Sequence, residues 1–194
     1  MTPPQTPASR PSKIRAALAR AERALFTRPA PKSAKSQMKF LRTRANGSNE
    51  ALAERLGVSR STVHRYLTGA STKPHRRLQE ALTYETEEQW QPQVRAQARQ
   101  RAATSGGLVI TCRATFGFTA DGTSDDGRVR DIITAVSPSH AARILDAKEH
   151  GATDEELQPL LAEAVTESYF RAGGTIHAGL RADFQDVEHL DISF

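Results

Sequence analysis

The sequence has few of the residues that staple, ligate or anchor a protein. Of 194 residues one is cysteine, Cys112, so no internal disulfide can form. No Cys/His cluster has the spacing of a zinc site. One tryptophan, 6% aromatics and 38% hydrophobic residues leave little material for a single large core. Mean hydropathy is -0.54, and no stretch approaches the ~20 apolar residues of a membrane span, which excludes a transmembrane protein. The first 30 residues are basic and alanine-rich without an apolar core and cleavage site, so no secretory signal is expected. A phosphate-cradling glycine loop and a nucleophile-elbow motif are both missing. The histidines at 64, 75, 140, 150, 177 and 189 never pair at metal spacing, and no repeat of fixed period occurs.

What is present is segregated charge. The net charge of +5 conceals 20 Lys+Arg against 7 Asp+Glu in residues 1–105, a net of +13. Residues 106–194 hold 7 Lys+Arg against 15 Asp+Glu, a net of -8. A basic half of this kind is the footprint of a polyanion partner, most simply nucleic acid. Basic composition that served only solubility would be mixed along the chain, not sorted.

The pattern along the chain predicts two domains after a disordered, proline-rich tail at 1–12. A basic, all-α domain is expected over 13–105. Helices are predicted at 13–26, at about 33–45 with Ser33 as cap, just after Lys73-Pro74 through Leu78, Leu82 and Trp90, and at 94–103. Thr104-Ser105-Gly106-Gly107 reads as a hinge and the domain boundary. An acidic mixed domain follows over 106–194, so the fold class is α+β. Leu108, Ile110, Cys112, Ala114, Phe116 and Phe118 alternate with mostly polar residues, the period of a half-buried strand or strand pair. Residues 129–136 are ambiguous: Val129, Ile132, Ile133 and Val136 have helical spacing, whereas β-branching favours a strand. Helices are predicted from a Ser139 cap to His150 and from a Thr153–Glu156 capping box to Phe170. The tail from Leu180 reads as one or two strands.

The most informative window is Asn49 to Leu67, which has the helix-turn-helix pattern. Ala53 must be small because a second helix crosses it. Gly57 occupies a turn where positive φ is cheap only for glycine. Val58 plugs the space between the helices, Ser59 caps the second helix, and Val63 and Tyr66 face the core. Arg60, Ser61, Thr62, His64 and Arg65 are left to face a DNA major groove. Arg60 and Arg65 can donate to guanine edges or to phosphates. Lys73, Arg76, Arg77, Arg95, Arg99 and Arg101 are expected phosphate contacts.

Beyond DNA binding the residues offer little chemistry. Asp121, Asp125 and Asp126 form an acidic loop that reads as a solvated turn, and no metal site is expected. Cys112 falls on the apolar face of the alternating segment. Thr119, Thr123 and Ser124 put hydroxyls in the loop after it, where such groups ordinarily bond local backbone.

Several segments together resemble a known family. Phe26-Thr27-Arg28-Pro29-Ala30-Pro31-Lys32, the helix-turn-helix, Glu88-Gln89-Trp90-Gln91-Pro92, Gly117-Phe118-Thr119-Ala120 and Asp186-Val187-Glu188-His189-Leu190 are similar to the Tpg family. These are the telomere-capping terminal proteins of linear chromosomes and plasmids in streptomycete-type actinobacteria. The resemblance covers roughly residues 20–194. It implies a protein linked covalently to DNA 5′ ends through a threonine hydroxyl that primes end-patching DNA synthesis. It also implies two partners, a DNA polymerase and a telomere-binding recruiter protein. The priming hydroxyl then falls among Thr115, Thr119, Thr123 and Ser124, with Thr123 favoured and Thr119 second. The protein would not itself be an enzyme and would have no cofactor of its own, the divalent metal residing in the polymerase. It would be cytoplasmic and associated with the nucleoid. The competing expectation is a helix-turn-helix transcription regulator whose C-terminal half dimerises or senses a ligand.

Overall fold

The computed structural model describes residues 13–119, 128–172 and 181–194. The expected disordered tail at 1–12 and most of the loop after the alternating segment lie outside the described residues. The chain forms two compact units, one of residues 26–94 and one joining residues up to Leu25 with Arg95–Phe194.

The unit of residues 26–94 is all-helical. It contains α2 (Ala34–Arg44), α3 (Asn49–Leu56), α4 (Arg60–Thr68) and α5 (Arg76–Gln89). Side chains close the helix starts. Ser33, Ser48 and Ser59 accept from the backbone N–H groups of Ser36, Ala51 and Thr62. The fourth helix starts at Arg76, because His75 rather than Pro74 takes the cap position and its Nδ1 accepts from Leu78 N at 3.3 Å. Met38, Leu41, Leu52, Leu56, Val63 and Leu82 form the core, each large side chain contributing about 1.5–3 kcal/mol of burial.

Two of the family-like segments meet in this unit. Trp90 Nε1 donates to Arg28 O at 2.9 Å, and Gln91 Oε1 accepts from Thr27 N at 2.9 Å. The Trp90 ring stands edge-on to Phe40 with centroids 5.0 Å apart. Gln91 holds φ at 45°, a left-handed conformation that a non-glycine residue adopts only when its surroundings impose it.

The other unit contains α1 (Lys13–Ala24) and most of α6 (Pro92–Arg101), then β1 (Leu108–Thr119), β2 (Arg128–Val136), α7 (Pro138–Glu149), α8 (Asp154–Ala172) and β3 (Arg181–Ser193). The strands form an antiparallel sheet in the order β2-β1-β3. The β1–β2 register runs from Leu108 opposite Val136 to Phe116 opposite Arg128. Along β3 the register slips between Arg113 and Thr115, so residues 186–188 bulge opposite Ala114. Leu108, Ile110, Cys112 and Ala114 face inward with Ile132, Val136, Leu190 and Ile192, against Ile14, Leu18, Ile144, Leu161 and Val165 of the helices. The ambiguous segment is a strand. Ile132 and Val136 are buried by the ladder to β1, whereas Ile133 is 76% exposed, which no single buried helix face explains. The tail is one strand, and the α7 cap is Ser137 rather than Ser139, with Pro138 in the first helical turn. The Thr153–Glu156 capping box forms as expected, with Thr153 N donating to Glu156 at 2.8 Å and Glu156 N to Thr153 Oγ1 at 3.3 Å.

The expected boundary at Ser105/Gly106 is corrected. Ala102–Gly106 is a π-helical turn that runs against α7 and buries Ala102 in the core, not a hinge. Gly107, at φ 69°, lies so close to β2 that a Cβ there would sit 2.0 Å from Val136 O. The first helix also changes allegiance. Ile14 N and Arg15 N donate to the two carboxylate oxygens of Asp154 at 3.0 Å, and Arg20 donates to Leu190 O at 2.7 Å. At its far end Glu22, 2% exposed, holds three cations: Arg95 at 3.2 Å, Arg99 at 2.8 Å and Lys148 at 2.7 Å.

These attachments redistribute the charge. Residues 26–94 hold 12 Lys+Arg against 6 Asp+Glu, net +6, and the rest of the chain holds 15 against 16. Burial opposes ionisation of Glu22, but the hydrogen bond and charge of Lys148 and the charges of Arg95 and Arg99 outweigh it, holding the carboxyl below its ordinary value. A depressed carboxyl pKa contributes stability at neutral pH that is lost as pH falls below the ordinary glutamate range. Glu22→Gln should therefore cost about 3–5 kcal/mol at neutral pH in urea unfolding, because buried cations lose their partner. It should also flatten the acid limb of the stability–pH curve; an unchanged limb would contradict the assignment.

Candidate nucleic-acid interface

The interface is built on α3, the turn at Gly57–Ser59, and α4. Gly57 adopts φ 63° and closes α3, with its N–H bonded to Ala53 and Glu54 carbonyls. Ala53 is buried, as the crossing of the second helix requires, and Val58 packs at the edge of the core. Ser59 Oγ lies 2.8 Å from Ser61 Oγ and 2.9 Å from Thr62 Oγ1, a hydroxyl cluster at the head of α4. Val63 and Tyr66 point inward, and Tyr66 Oη donates to Lys73 O at 3.2 Å, holding the segment after α4 against the helix. Gly69 at φ 89° ends α4, and Gly69 N and Ser71 N both donate to Arg65 O at 3.1 Å.

This packing leaves Arg60, Ser61, His64 and Arg65 exposed and Thr62 half-buried on α4, a helix with no carboxylate. Lys73, Arg76 and Arg77 are also exposed. Arg76 pairs with Glu80 at 2.8 Å, which raises its pKa, a solvent-screened surface contact that contributes little to stability. Arg101 is exposed on α6.

Arg95 and Arg99 must be withdrawn from the phosphate contacts. Arg95 is buried against Glu22, and Arg99 is spent on Glu22 and Glu149. A guanidinium buried on or bonded to an interior carboxylate is not placed to reach a DNA phosphate and displace its counterion. Lys35 was not singled out by sequence: its Nζ would stand 3.3 Å from a Cβ at Gly69, near the carbonyl end of α4. Ser71 and His75 were also missed, although hydroxyl and imidazole just past a glycine helix stop are a usable signal.

The helix-turn-helix domain family matches residues 36–83. The chain carries a helix-turn-helix domain. The matched span runs from the first turn of α2 into α5 and contains α3, the turn at Gly57–Ser59 and α4, so the exposed face of α4 is the candidate DNA-binding face. No curated protein and no solved structure matches the chain.

The candidate priming hydroxyls are distributed differently. Thr115 is half-buried in β1 between Val129 and Gln185, and Thr119 ends β1 opposite Arg181. Thr123 and Ser124 lie outside the described residues, as do Asp121, Asp125 and Asp126. Cys112 is buried, and its thiol is pushed up to about 11 by burial and by Asp131, so it is not a thiolate nucleophile at neutral pH. Among the described residues no group of three His, Cys, Asp or Glu could hold a metal, and no helix is long and apolar enough to cross a membrane.

Alanine at Arg60 or His64 should lower affinity for the preferred duplex by about 1–3 kcal/mol and relax the sequence preference in a competition assay. Alanine at Arg99 should lower the melting temperature and leave duplex affinity unchanged.

Proposed function

We propose that this DNA-binding protein caps the telomeres of linear replicons and primes end-patching DNA synthesis with a side-chain hydroxyl. The observation that carries the reading is the junction of Phe26–Lys32 with Glu88–Pro92. These segments, part of the likeness to terminal proteins, enclose the helix-turn-helix and are tied by Trp90 to Arg28 and Gln91 to Thr27. Within this chain the two segments thus belong to one structural unit with the helix-turn-helix.

The chemistry suits a protein that brings no catalytic base. A polymerase would present a deoxynucleotide and its divalent metals. The hydroxyl oxygen attacks the α-phosphorus, a phosphodiester bond to the side chain forms, pyrophosphate leaves, and the hydroxyl proton passes to solvent or a polymerase base. Thr115 is poorly suited, because β1 is the central strand and is paired on both sides. Thr123 and Ser124 lie between β1 and β2 in the sequence, outside the described residues. Thr123 remains the first choice and Thr119 the second. DNA would be held by the helix-turn-helix, with the polymerase and a recruiter protein as partners.

Incubation with polymerase, recruiter and labelled deoxynucleotide should label the protein, and Thr123→Ala should lose most of the label. Persistence of label after replacing Thr115, Thr119, Thr123 and Ser124 together would refute the hydroxyl placement. The match of residues 36–83 to a helix-turn-helix family also favours a second reading, a reversible transcription regulator. Phenol extraction of genomic DNA separates the two: protein-bound ends leave the aqueous phase unless protease is added, whereas a regulator leaves the ends in solution.

A further inference from the structure

The helix-turn-helix unit contains a cavity of about 450 Å³ beside the recognition helix. Its lining differs from the largely apolar lining of a small-molecule pocket. Arg65, Lys73 and His75 supply cationic or donor groups, Ser59, Thr62 and Ser71 supply hydroxyls, and none of the lining residues is a carboxylate.

Helix α4 explains how the cavity arises. Ser59, Thr62 and Arg65 recur every three residues and share the side of the helix turned toward the segment 70–75. Arg60 and His64, four apart, share the neighbouring exposed face. The opposite wall is held in place by backbone bonds. Ser71 N is anchored on Arg65 O at 3.1 Å and Lys73 O on Tyr66 Oη at 3.2 Å. His75 uses Nδ1 as an acceptor for Leu78 N, so the neutral ring carries its proton on Nε2, a donor not used by the cap. A two-cation, hydroxyl-lined cavity with no carboxylate in its lining is suited to a phosphate group, whose oxygens accept several donors at once.

We propose that this cavity seats one phosphate group, and that Arg65 and Lys73 hold it jointly. The ligand chemistry is a phosphate oxyanion, supplied by the DNA backbone next to the groove that α4 enters or by free phosphate. The DNA source rests on the helix-turn-helix reading. The exposed polar side chains of α4 then have separate roles, with Arg60 and His64 facing the base edges and Arg65 positioning the helix on the backbone.

The test uses the full chain, the variants Arg65→Gln and Lys73→Gln, their double variant, and Arg65→Lys. Both side chains are exposed, and circular dichroism verifies folding. Each glutamine variant should weaken duplex binding roughly ten- to a hundredfold, the scale of a hydrogen bond to a charged group, equally for preferred and random duplexes. Arg65→Lys should restore part of the loss. Because the two cations share one phosphate, the double variant should lose less than the product of the single losses. Its slope of log affinity against log salt should fall by about 0.9, the value for one phosphate. A second arm replaces chloride with inorganic phosphate at constant ionic strength and follows thermal unfolding. A rise in melting temperature in the wild type that the double variant lacks shows that free phosphate enters the seat. A slope loss without such a rise assigns the seat to the DNA backbone. Multiplicative losses with a slope change near two overturn the proposal in favour of separate surface contacts, as does the absence of both a slope change and a melting shift. If the wild type binds no duplex, the helix-turn-helix reading fails, and the melting arm alone decides the seat.

Discussion

The buried carboxylate of Glu22 is the constraint on which the unit of α1, α6 and the sheet depends. A single negative charge, 2% exposed, draws Arg95, Arg99 and Lys148 onto itself and so joins α1, α6 and α7. Desolvating such a group is costly, and only several short contacts make it tolerable. Asp154 secures the other end of α1 by accepting from its first free N–H groups. With both ends of α1 held, the chain leaves this unit at Leu25 and returns to it at Arg95. The helix-turn-helix unit is therefore an insertion in the sequence of the other.

That arrangement changes the meaning of the charge. A net of +13 in residues 1–105 suggests one long basic surface, but much of it is used internally. Part of the excess balances the acidic C-terminal sequence, and residues 26–94 retain a net of +6. The exposed cations of α4, Lys73 and the first turn of α5 are among those left free to meet DNA. A compact set of this size supports a modest number of phosphate contacts, and affinity should respond to salt accordingly.

How much of this was legible in the sequence follows the range of each interaction. Capping and turn signals act within a few residues, so Ser33, Ser59, Gly57 and the Thr153–Glu156 box could be read directly. The alternation of Leu108, Ile110, Cys112 and Ala114 is likewise local, and all four are buried as the period requires. The role of Arg99 was not legible, because its partner Glu22 lies 77 positions away and an arginine in a basic helix looks the same whether it meets phosphate or carboxylate. Residues 129–136 stayed ambiguous because only pairing with β1 decides between a helical and an extended arrangement of the same β-branched residues. The hinge reading at Gly106-Gly107 failed for a related reason: glycine can mark freedom or, as at Gly107, the close approach of another backbone. In the interface, Arg60, Ser61, His64 and Arg65 were identifiable from the motif. Ser71 and His75 acquire meaning only when the segment after α4 folds back onto the helix.

On the proposed reading DNA meets the exposed residues of the inserted unit, while Arg95 and Arg99 of α6 serve the interior of the other. Amide hydrogen exchange of the full chain, with and without saturating duplex, tests this division most directly. Slower exchange across residues 58–77 with no change in the peptides of α6, Pro92–Arg101, is the predicted result. Slower exchange in α6 on adding duplex, or none in α4, would contradict it.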